Sequence, residues 1–347
     1  MKFGVIAGVE RAEVHEHGLP VLTSTQVLVR NMACSVCTTD YQQWQGLRPH
    51  QPMNMAFGHE NAGIVEQVGK DVHSIELGDR VVTDAYRPCL ICCNCRKGRN
   101  ASYCMNPAID LQVVDEYGYH GLYGCSEYQI VDERYVFRVR PDTPFEQATF
   151  CEPLSTVIHG IQQLALTPGQ KVLVIGGGTM GILNAQMARY CGASVVVSDI
   201  SPKKLDTARA LGFSHFINPS TQDVKQVLDG YFDGEPLDAI IIAVGANSAY
   251  AQALDVAAKG TRLLIFASGH PVPNWDLDPN LVHYKMLDVI GTYGCCQRDY
   301  LRAADLIGSG AIDVRPLIDE RFPLEQIQDA FKAAATEGAY RVSVSLG

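Results

Sequence analysis

The stretch that most constrains this chain is residues 171–199, KVLVIGGGTMGILNAQMARYCGASVVVSD. Lys171–Ile175 is a short β-branched apolar run, and Gly176, Gly178 and Gly181 follow in G-x-G-x-x-G spacing. A helical period then lasts to about Cys191, and a second β-branched run ends at Asp199. Strand, tight loop, helix, strand and acidic residue is the order a dinucleotide requires. Gly176 permits the sharp turn, Gly178 lets the backbone approach a pyrophosphate, and Gly181 lets helix pack on strand. Thr179 and Met180 open the helix, whose unpaired N–H groups suit phosphate oxygens. Asp199 is placed to accept a hydrogen bond from a ribose 2′-OH, and its charge repels a 2′-phosphate. This predicts NAD rather than NADP, although Lys203 and Lys204 just beyond act in the opposite direction. Lys204 and Val244 complete the predicted cofactor-binding set.

At 347 residues the chain is long for one core, so two domains are expected. No apolar run approaches a membrane span, and the N-terminus lacks the basic-then-apolar layout of a signal peptide, which predicts a soluble cytoplasmic protein without a membrane partner. The net charge of −10 comes from scattered acidic residues and argues against a nucleic-acid surface. Twelve cysteines without an export signal point to metal ligands, catalytic groups or reduced core residues rather than disulfides.

Those cysteines cluster. Cys89, Cys92, Cys95 and Cys104 stand in C-x2-C-x2-C-x8-C spacing, and four thiolates so close suit a closed tetrahedral Zn²⁺ site. Cys93 is surplus, either pointing away or replacing a neighbour. Upstream, residues 31–46 read as a polar, turn-like stretch holding Cys34, Cys37, Thr39 and Asp40, and Gly58-His59-Glu60 opens a strand-like run. Cys34 and Cys37 form a C-x-x-C, but no thioredoxin-like strand and helix frame it, so Cys34 is taken as incidental. His50, His120 and His159 are expected at exposed or core positions, and Glu127 is expected to be structural. Residues 124–131 read as a strand and 154–164 as a helix. Beyond residue 171 strands near Val195, Phe216, Ile241, Leu264 and Val289 alternate with helices from Lys204, Val224 and Ala249. That alternation predicts a doubly wound sheet of six parallel strands. The tail, helical at 300–307 and 324–334 with a closing strand at 341–346, is expected to rejoin the β-rich N-terminal part.

Taken together, the chain resembles the zinc-dependent medium-chain dehydrogenases. The resemblance rests on Cys37 to Asp40 against that family's C-G-S-D, on Gly58-His59-Glu60 with Gly63 and Val65, and on Gly78-Asp79-Arg80-Val81. The four-cysteine lobe, Glu152-Pro153-Leu154-Ser155 and the nucleotide fingerprint complete it. Glu-Pro-Leu at 152–154 is similar to the sorbitol and polyol dehydrogenase branch. The resemblance implies an α/β protein with a GroES-like catalytic domain, residues 1–155 and 293–347, and a Rossmann domain, residues 156–292. It implies a catalytic zinc on Cys37 and His59 with Glu60 or Glu152 as the third protein contact, a structural zinc on the lobe, and a homodimer or homotetramer. Thr39 matches the residue that passes the substrate proton outward, and Asp40 a group that supports the site through hydrogen bonds. Gln42 stands where the family often has a histidine and cannot titrate. Trp44 is similar to an aromatic flanking the polyol pocket. Gly294, Cys295 and Cys296 stand where polyol dehydrogenases often carry an arginine and an aromatic.

The implied reaction takes a hydride from the secondary alcohol of a polyol, sugar alcohol or sugar acid to NAD, giving a ketone. Alcohol or L-threonine dehydrogenation is the alternative within the family. Two further classes are a zinc protein that binds a nucleotide or nucleic acid without chemistry, and a zinc-free reductase of similar architecture. The separate Cys37, His59 and Glu152 set argues against the first, and the two metal constellations argue against the second.

Overall fold

The computed structural model describes residues 1–347 and separates them into two units, Met1–Ser155 with Gly294–Gly347, and Thr156–Tyr293. In the first unit β1 (Lys2–Gly8) pairs antiparallel with β2 (Arg11–Glu16), and β3 (Gln26–Val36) is the longest strand. Helix α1 (Thr38–Trp44) follows, then β4 (Met55–Ala56), β5 (Glu60–Val68) and β6 (Arg80–Thr83). The cysteine-rich loop carries the single-turn helix α2 (Cys93–Arg96), and β7 (His120–Gly121), β8 (Tyr128–Asp132), β9 (Val136–Arg138) and α3 (Phe145–Ala148) come after it. The boundary between the units falls inside α4 (Cys151–Leu164).

The second unit alternates β10 (Lys171–Ile175), α5 (Thr179–Tyr190), β11 (Ser194–Ser198), α6 (Pro202–Ala210), β12 (His215–Ile217) and α7 (Val224–Phe232). It continues with β13 (Ala239–Ile242), α8 (Asn247–Val256), β14 (Arg262–Ile265), α9 (Pro279–Lys285) and β15 (Asp288–Gly291). These six strands form one parallel sheet in the order β12-β11-β10-β13-β14-β15, the doubly wound arrangement expected from the sequence. β13 is buried along its whole length, as an inner strand covered on both faces should be.

The chain then returns to the first unit as α10 (Gln297–Gly308), β16 (Ile318–Pro323), α11 (Ile327–Ala334) and β17 (Arg341–Ser345). β17 lies antiparallel to β3, which also pairs with β5 and β8, so the tail does rejoin the N-terminal sheet. A smaller sheet runs β2-β1-β4-β7. Between them Trp44, Phe57 and Phe331 anchor an apolar core with Ile6, Val342 and Val344.

Two local expectations change. Residues 31–46 are not a polar turn: β3 continues to Val36 because Cys34 and Val36 are core residues, and a helix begins at once, its first turn capped by the Asp40 carboxylate accepting from the Cys37 N–H at 2.9 Å. The strand expected over 124–131 starts only at Tyr128. Gly124 lies against the backbone of Gly58, where a Cβ would come within 2.4 Å of the Gly58 carbonyl oxygen, and this close crossing bends the chain before β8. No helix is long and apolar enough to cross a membrane.

Candidate active site

Strand register assembles the site. Ser35 of β3 lies opposite Glu60 of β5, and Val36 lies opposite Val342 of β17. Cys37, just beyond β3, therefore meets His59 and Glu60 at the start of β5 and Arg341 at the start of β17. The ligand atoms of Cys37, His59 and Glu60 all lie within 4.8 Å of one another.

Glu60 is buried and engaged: its two oxygens accept from Arg341 Nη2 at 2.6 Å and Nε at 2.9 Å. Arg341 Nη2 also donates toward Cys37 Sγ at 3.7 Å. Asp40 holds the Cys37 N–H with Oδ2, while its Oδ1 stands 3.5 Å from His59 Nδ1. Burial raises the Asp40 pKa, and the His59 charge and Cys37 N–H oppose that rise. For His59, burial acts downward, but Asp40, Cys37 and Glu152 more than offset it and hold the ring well above its usual pKa. The pocket is thus one that attracts a proton or a metal ion. Glu152 stands in the first turn of α4, outside the tighter group. Burial pushes its pKa up to about 7, with His59 pulling downward.

Thiolate, imidazole and carboxylate are zinc donors, and this grouping fits a metal with a position left for substrate. Glu60 belongs to it by distance, but its oxygens are occupied by Arg341; no protein donor holds the Glu152 carboxylate.

The second cluster is Cys89, Cys92, Cys95 and Cys104, again within 4.8 Å. Cys92 Sγ lies 3.5 Å from Cys95 Sγ, and Cys89 Sγ lies 4.0 Å from it. A tetrahedral zinc with four sulfurs has edges of about 3.8 Å, so the lobe fits that ion. Backbone N–H groups of Met105 and Cys95 lower the Cys92 pKa to about 6, whereas burial and neighbouring thiols push Cys95 up to about 12. Four thiols this close cannot all ionise without a cation between them. Cys93 is exposed, with its sulfur 3.7 Å from Met105 Sδ, and stands outside the four.

In the second unit the glycine roles are visible. Gly176 has φ +103°, a Cβ on Gly181 would stand 1.7 Å from the Gly176 carbonyl oxygen, and a Cβ on Gly178 would meet only Lys204 Nζ at 3.8 Å. Gly178 is thus an approachable backbone surface at the cap of α5, and Val244 packs against Gly176. Thr179 and Met180 form the first turn of α5, with the Met180 carbonyl accepting from Asn184 Nδ2 at 2.8 Å. Asp199 accepts from the Gly177 N–H at 2.6 Å and the Ser201 N–H at 2.7 Å, stapling the glycine loop to the turn before α6. Each oxygen keeps a second lone pair for a ribose hydroxyl. The loop fits a dinucleotide.

Comparisons with known proteins agree with this geometry. Residues 23–141 match the alcohol dehydrogenase GroES-like domain, and residues 179–309 match the zinc-binding dehydrogenase family. An L-threonine 3-dehydrogenase from Deinococcus deserti is 31% identical over 88% of each chain. The chain belongs to the zinc-dependent medium-chain dehydrogenases. Among solved structures, this dehydrogenase is similar to a zinc-binding dehydrogenase from Sinorhizobium meliloti bound to NADP, at 28% identity and TM-score 0.88 over 99% of this chain and 98% of the other. It is also similar to galactitol-1-phosphate dehydrogenase from Escherichia coli, at 25% identity and TM-score 0.86, covering 99% and 100% of the two chains.

One partner of the site residues, Arg341, carried no mark in the sequence. Arg341 lies 281 positions from Glu60, and only strand pairing reveals the contact. Trp44 is 6% exposed and packs in the core of the unit, with its ring centroid 5.9 Å from that of Phe331. The helical spacing of Asp40, Gln43 and Trp44, three and four apart, was the available signal. Cys34 is buried within β3 against Cys125, away from any dithiol partnership with Cys37. Glu127 is structural, accepting from the Lys2 N–H at 2.7 Å. Thr39 is half-buried on α1, two residues past Cys37. Cys295 is buried, with its sulfur 3.2 Å from Ser155 Oγ, behind the first turn of α4.

Proposed function

We propose that this dehydrogenase oxidises a secondary hydroxyl of a small polar substrate, of the sugar-alcohol, sugar-acid or L-threonine kind, to a ketone with transfer of hydride to NAD. The observation that carries the reading is the meeting of the Cys37 thiol and His59 imidazole, with the buried Glu152 carboxylate close enough to act on that ring. Zinc bound there would supply Lewis-acid polarisation, letting a hydroxyl lose its proton near neutral pH. Cys37 and His59 would hold the ion and Glu152 would give the third protein contact, since Glu60 is already paired with Arg341. Asp40 fixes the ring and the thiol at once, through the His59 Nδ1 side and the Cys37 N–H. Thr39 Oγ1 receives the hydroxyl proton and passes it outward, and because Gln42 cannot titrate, water completes the relay. Cys89, Cys92, Cys95 and Cys104 hold the second zinc, as structure only.

Glu152-Pro153-Leu154 and the galactitol-1-phosphate dehydrogenase likeness support a sugar-type substrate; the relatives named L-threonine 3-dehydrogenase support threonine equally. Asp199 supports NAD, and the test is the ratio of Michaelis constants for NAD and NADP; a preference for NADP would remove that argument. For the reaction itself, the zinc-loaded protein is offered NAD with sugar alcohols, sugar acids, L-threonine and simple alcohols while absorbance of reduced nicotinamide is followed. Turnover of a polar secondary alcohol is expected; activity confined to simple primary alcohols would overturn the proposal.

A further inference from the structure

We propose that Gln42 and Arg48 form a carboxylate anchor beside the hydroxyl-oxidising site, so that the preferred substrate is a hydroxy acid rather than a neutral polyol. The inference rests on the reading of Cys37, His59 and Glu152 given above. Helix α1 is capped by Cys37 and divides its side chains: Asp40, Gln43 and Trp44 are buried, whereas Thr39 and Gln42, three residues apart, share the less buried side. Gln42 Oε1 accepts a hydrogen bond from Arg48 Nε at 3.0 Å. A charged imidazole at position 42 would repel that guanidinium; an amide oxygen holds it.

The loop between them is pinned at both ends. Gly46, at φ +78°, closes the helix, and the Leu47 N–H donates to the Gln42 carbonyl at 2.9 Å. The Gln51 N–H donates to the Arg48 carbonyl at 3.0 Å, and the buried Gln43 side chain donates to the Pro52 carbonyl at 2.6 Å. Arg48 is therefore held before any ligand arrives, which lowers the ordering cost of binding. Its Nε is used, and the Nη1 and Nη2 edge, the one that grips a carboxylate with two parallel hydrogen bonds, has no protein partner. Five other arginines of the unit are matched by carboxylates, Arg30 with Glu66, Arg134 with Asp132, Arg138 with Asp79, Arg321 with Glu146 and Arg341 with Glu60, whereas Arg48 meets only the neutral Gln42 amide. Gln42 lies five helical steps past Cys37, a rise of about 7.5 Å, which a hydroxy acid of a few carbons spans with one contact at each end.

The test uses matched pairs on the zinc-loaded enzyme with NAD: D-gluconate against D-glucitol, and L-threonine against L-threoninol, each pair differing by a carboxylate in place of a hydroxymethyl group. The wild type is expected to favour the acid in at least one pair, and the favoured pair tells which kind of acid is taken. Arg48→Gln should lower the acid-to-neutral ratio of kcat/KM by roughly 10- to 100-fold, mostly through KM, with Arg48→Lys intermediate. Gln42→Ala should act in the same direction and less. Calorimetric titration of the same acids should lose affinity in parallel. Equal losses on acid and neutral partner, a wild type that prefers the neutral compounds, or a rise confined to the KM for NAD would each overturn the anchor. If no compound is turned over by the wild type, the functional reading fails instead, and the calorimetric comparison of wild type with Arg48→Gln still decides the anchor.

Discussion

The two cysteine clusters of this dehydrogenase differ in how they are built. Cys89, Cys92, Cys95 and Cys104 come from one short loop, half-buried, with identical donors. Cys37, His59, Glu60 and Glu152 come from the ends of two strands and the start of a helix, with Arg341 from a further strand, and they are mostly buried and chemically mixed. A loop can close four thiolates around an ion almost by itself. A site that must leave a position for substrate needs donors that cannot all turn inward, and the rigid strand register of β3, β5 and β17 keeps them apart. The local cluster is a staple, whereas the distributed one is a product of the whole fold.

The largest effect that can break this contrast is reciprocal removal. His59→Ala should lower kcat/KM by roughly 10³-fold or more, because the zinc's stabilisation of developing charge is lost, while metal content falls from two ions per chain to one. Cys104→Ser should also leave one ion per chain, but the remaining ion should sit at the Cys37 site. Metal analysis, with activity on whichever compound of the substrate panel is turned over, checks both. Loss of both ions from either variant would mean the clusters are not independent.

Next in size is the buried ion pair. Arg341→Met leaves Glu60 buried without its partner and should cost about 3–5 kcal/mol, read from urea unfolding. Glu60→Gln with Arg341→Met should recover part of this, since neither charge then remains. A loss below about 1 kcal/mol for the single variant would show that Glu60 had another cation to turn to.

The same contrast explains what was legible in the sequence. The lobe's ligands could be read from spacing alone, because all four lie within one segment, and so could the glycine loop, where chain order and spatial order coincide from Gly176 to Asp199. The doubly wound sheet was equally open, since β-branched runs alternate with helical periods. For the distributed site, Cys37, His59 and Glu152 emerged only through resemblance. Arg341 did not emerge at all: an arginine at the start of a strand carries no local mark of the carboxylate it will meet across β3. The burial of Trp44 was hidden for a related reason. Its neighbours Asp40 and Gln43 are polar, so the face it shares with them does not look apolar, yet Asp40 is buried to hold Cys37 and Gln43 to hold Pro52. Polar residues with buried structural partners hid the core side of α1.

A smaller test concerns Asp40, whose analogue is absent from the lobe. Asp40→Asn keeps an oxygen for the Cys37 N–H but removes the charge facing His59 and should weaken metal affinity at the Cys37 site by roughly 10- to 100-fold, without affecting the lobe. Competition with a chromophoric chelator measures it, and equal weakening at both sites would contradict the separation argued above.

The smallest expected effect lies at Asp84. Asp84 follows β6, five positions before Cys89, and its charge is felt by both Glu152 and Cys295. Burial pushes its pKa up from 3.8 to about 6, against the Tyr86 N–H and the Arg87 guanidinium, which act downward. A carboxyl whose pKa is higher in the folded than in the unfolded chain costs nothing below about pH 4, where both states hold the proton. Between about pH 4 and 6 the unfolded chain ionises first and stability falls as pH rises; above pH 6 the full cost is present. The shift sets an upper limit of about 3 kcal/mol, and local relaxation should leave about 1 kcal/mol. Asp84→Asn keeps the acceptor for the Tyr86 N–H, which lies 2.7 Å from Oδ1. The variant should therefore gain stability over the wild type progressively from pH 4 to pH 6 and hold that gain at pH 7.5. Unfolding the metal-free proteins takes metal release out of the comparison, so the difference between their urea midpoints reports this carboxyl together with its coupling to Glu152. A gain of equal size at every pH would place its origin in packing rather than in the ionisation of Asp84.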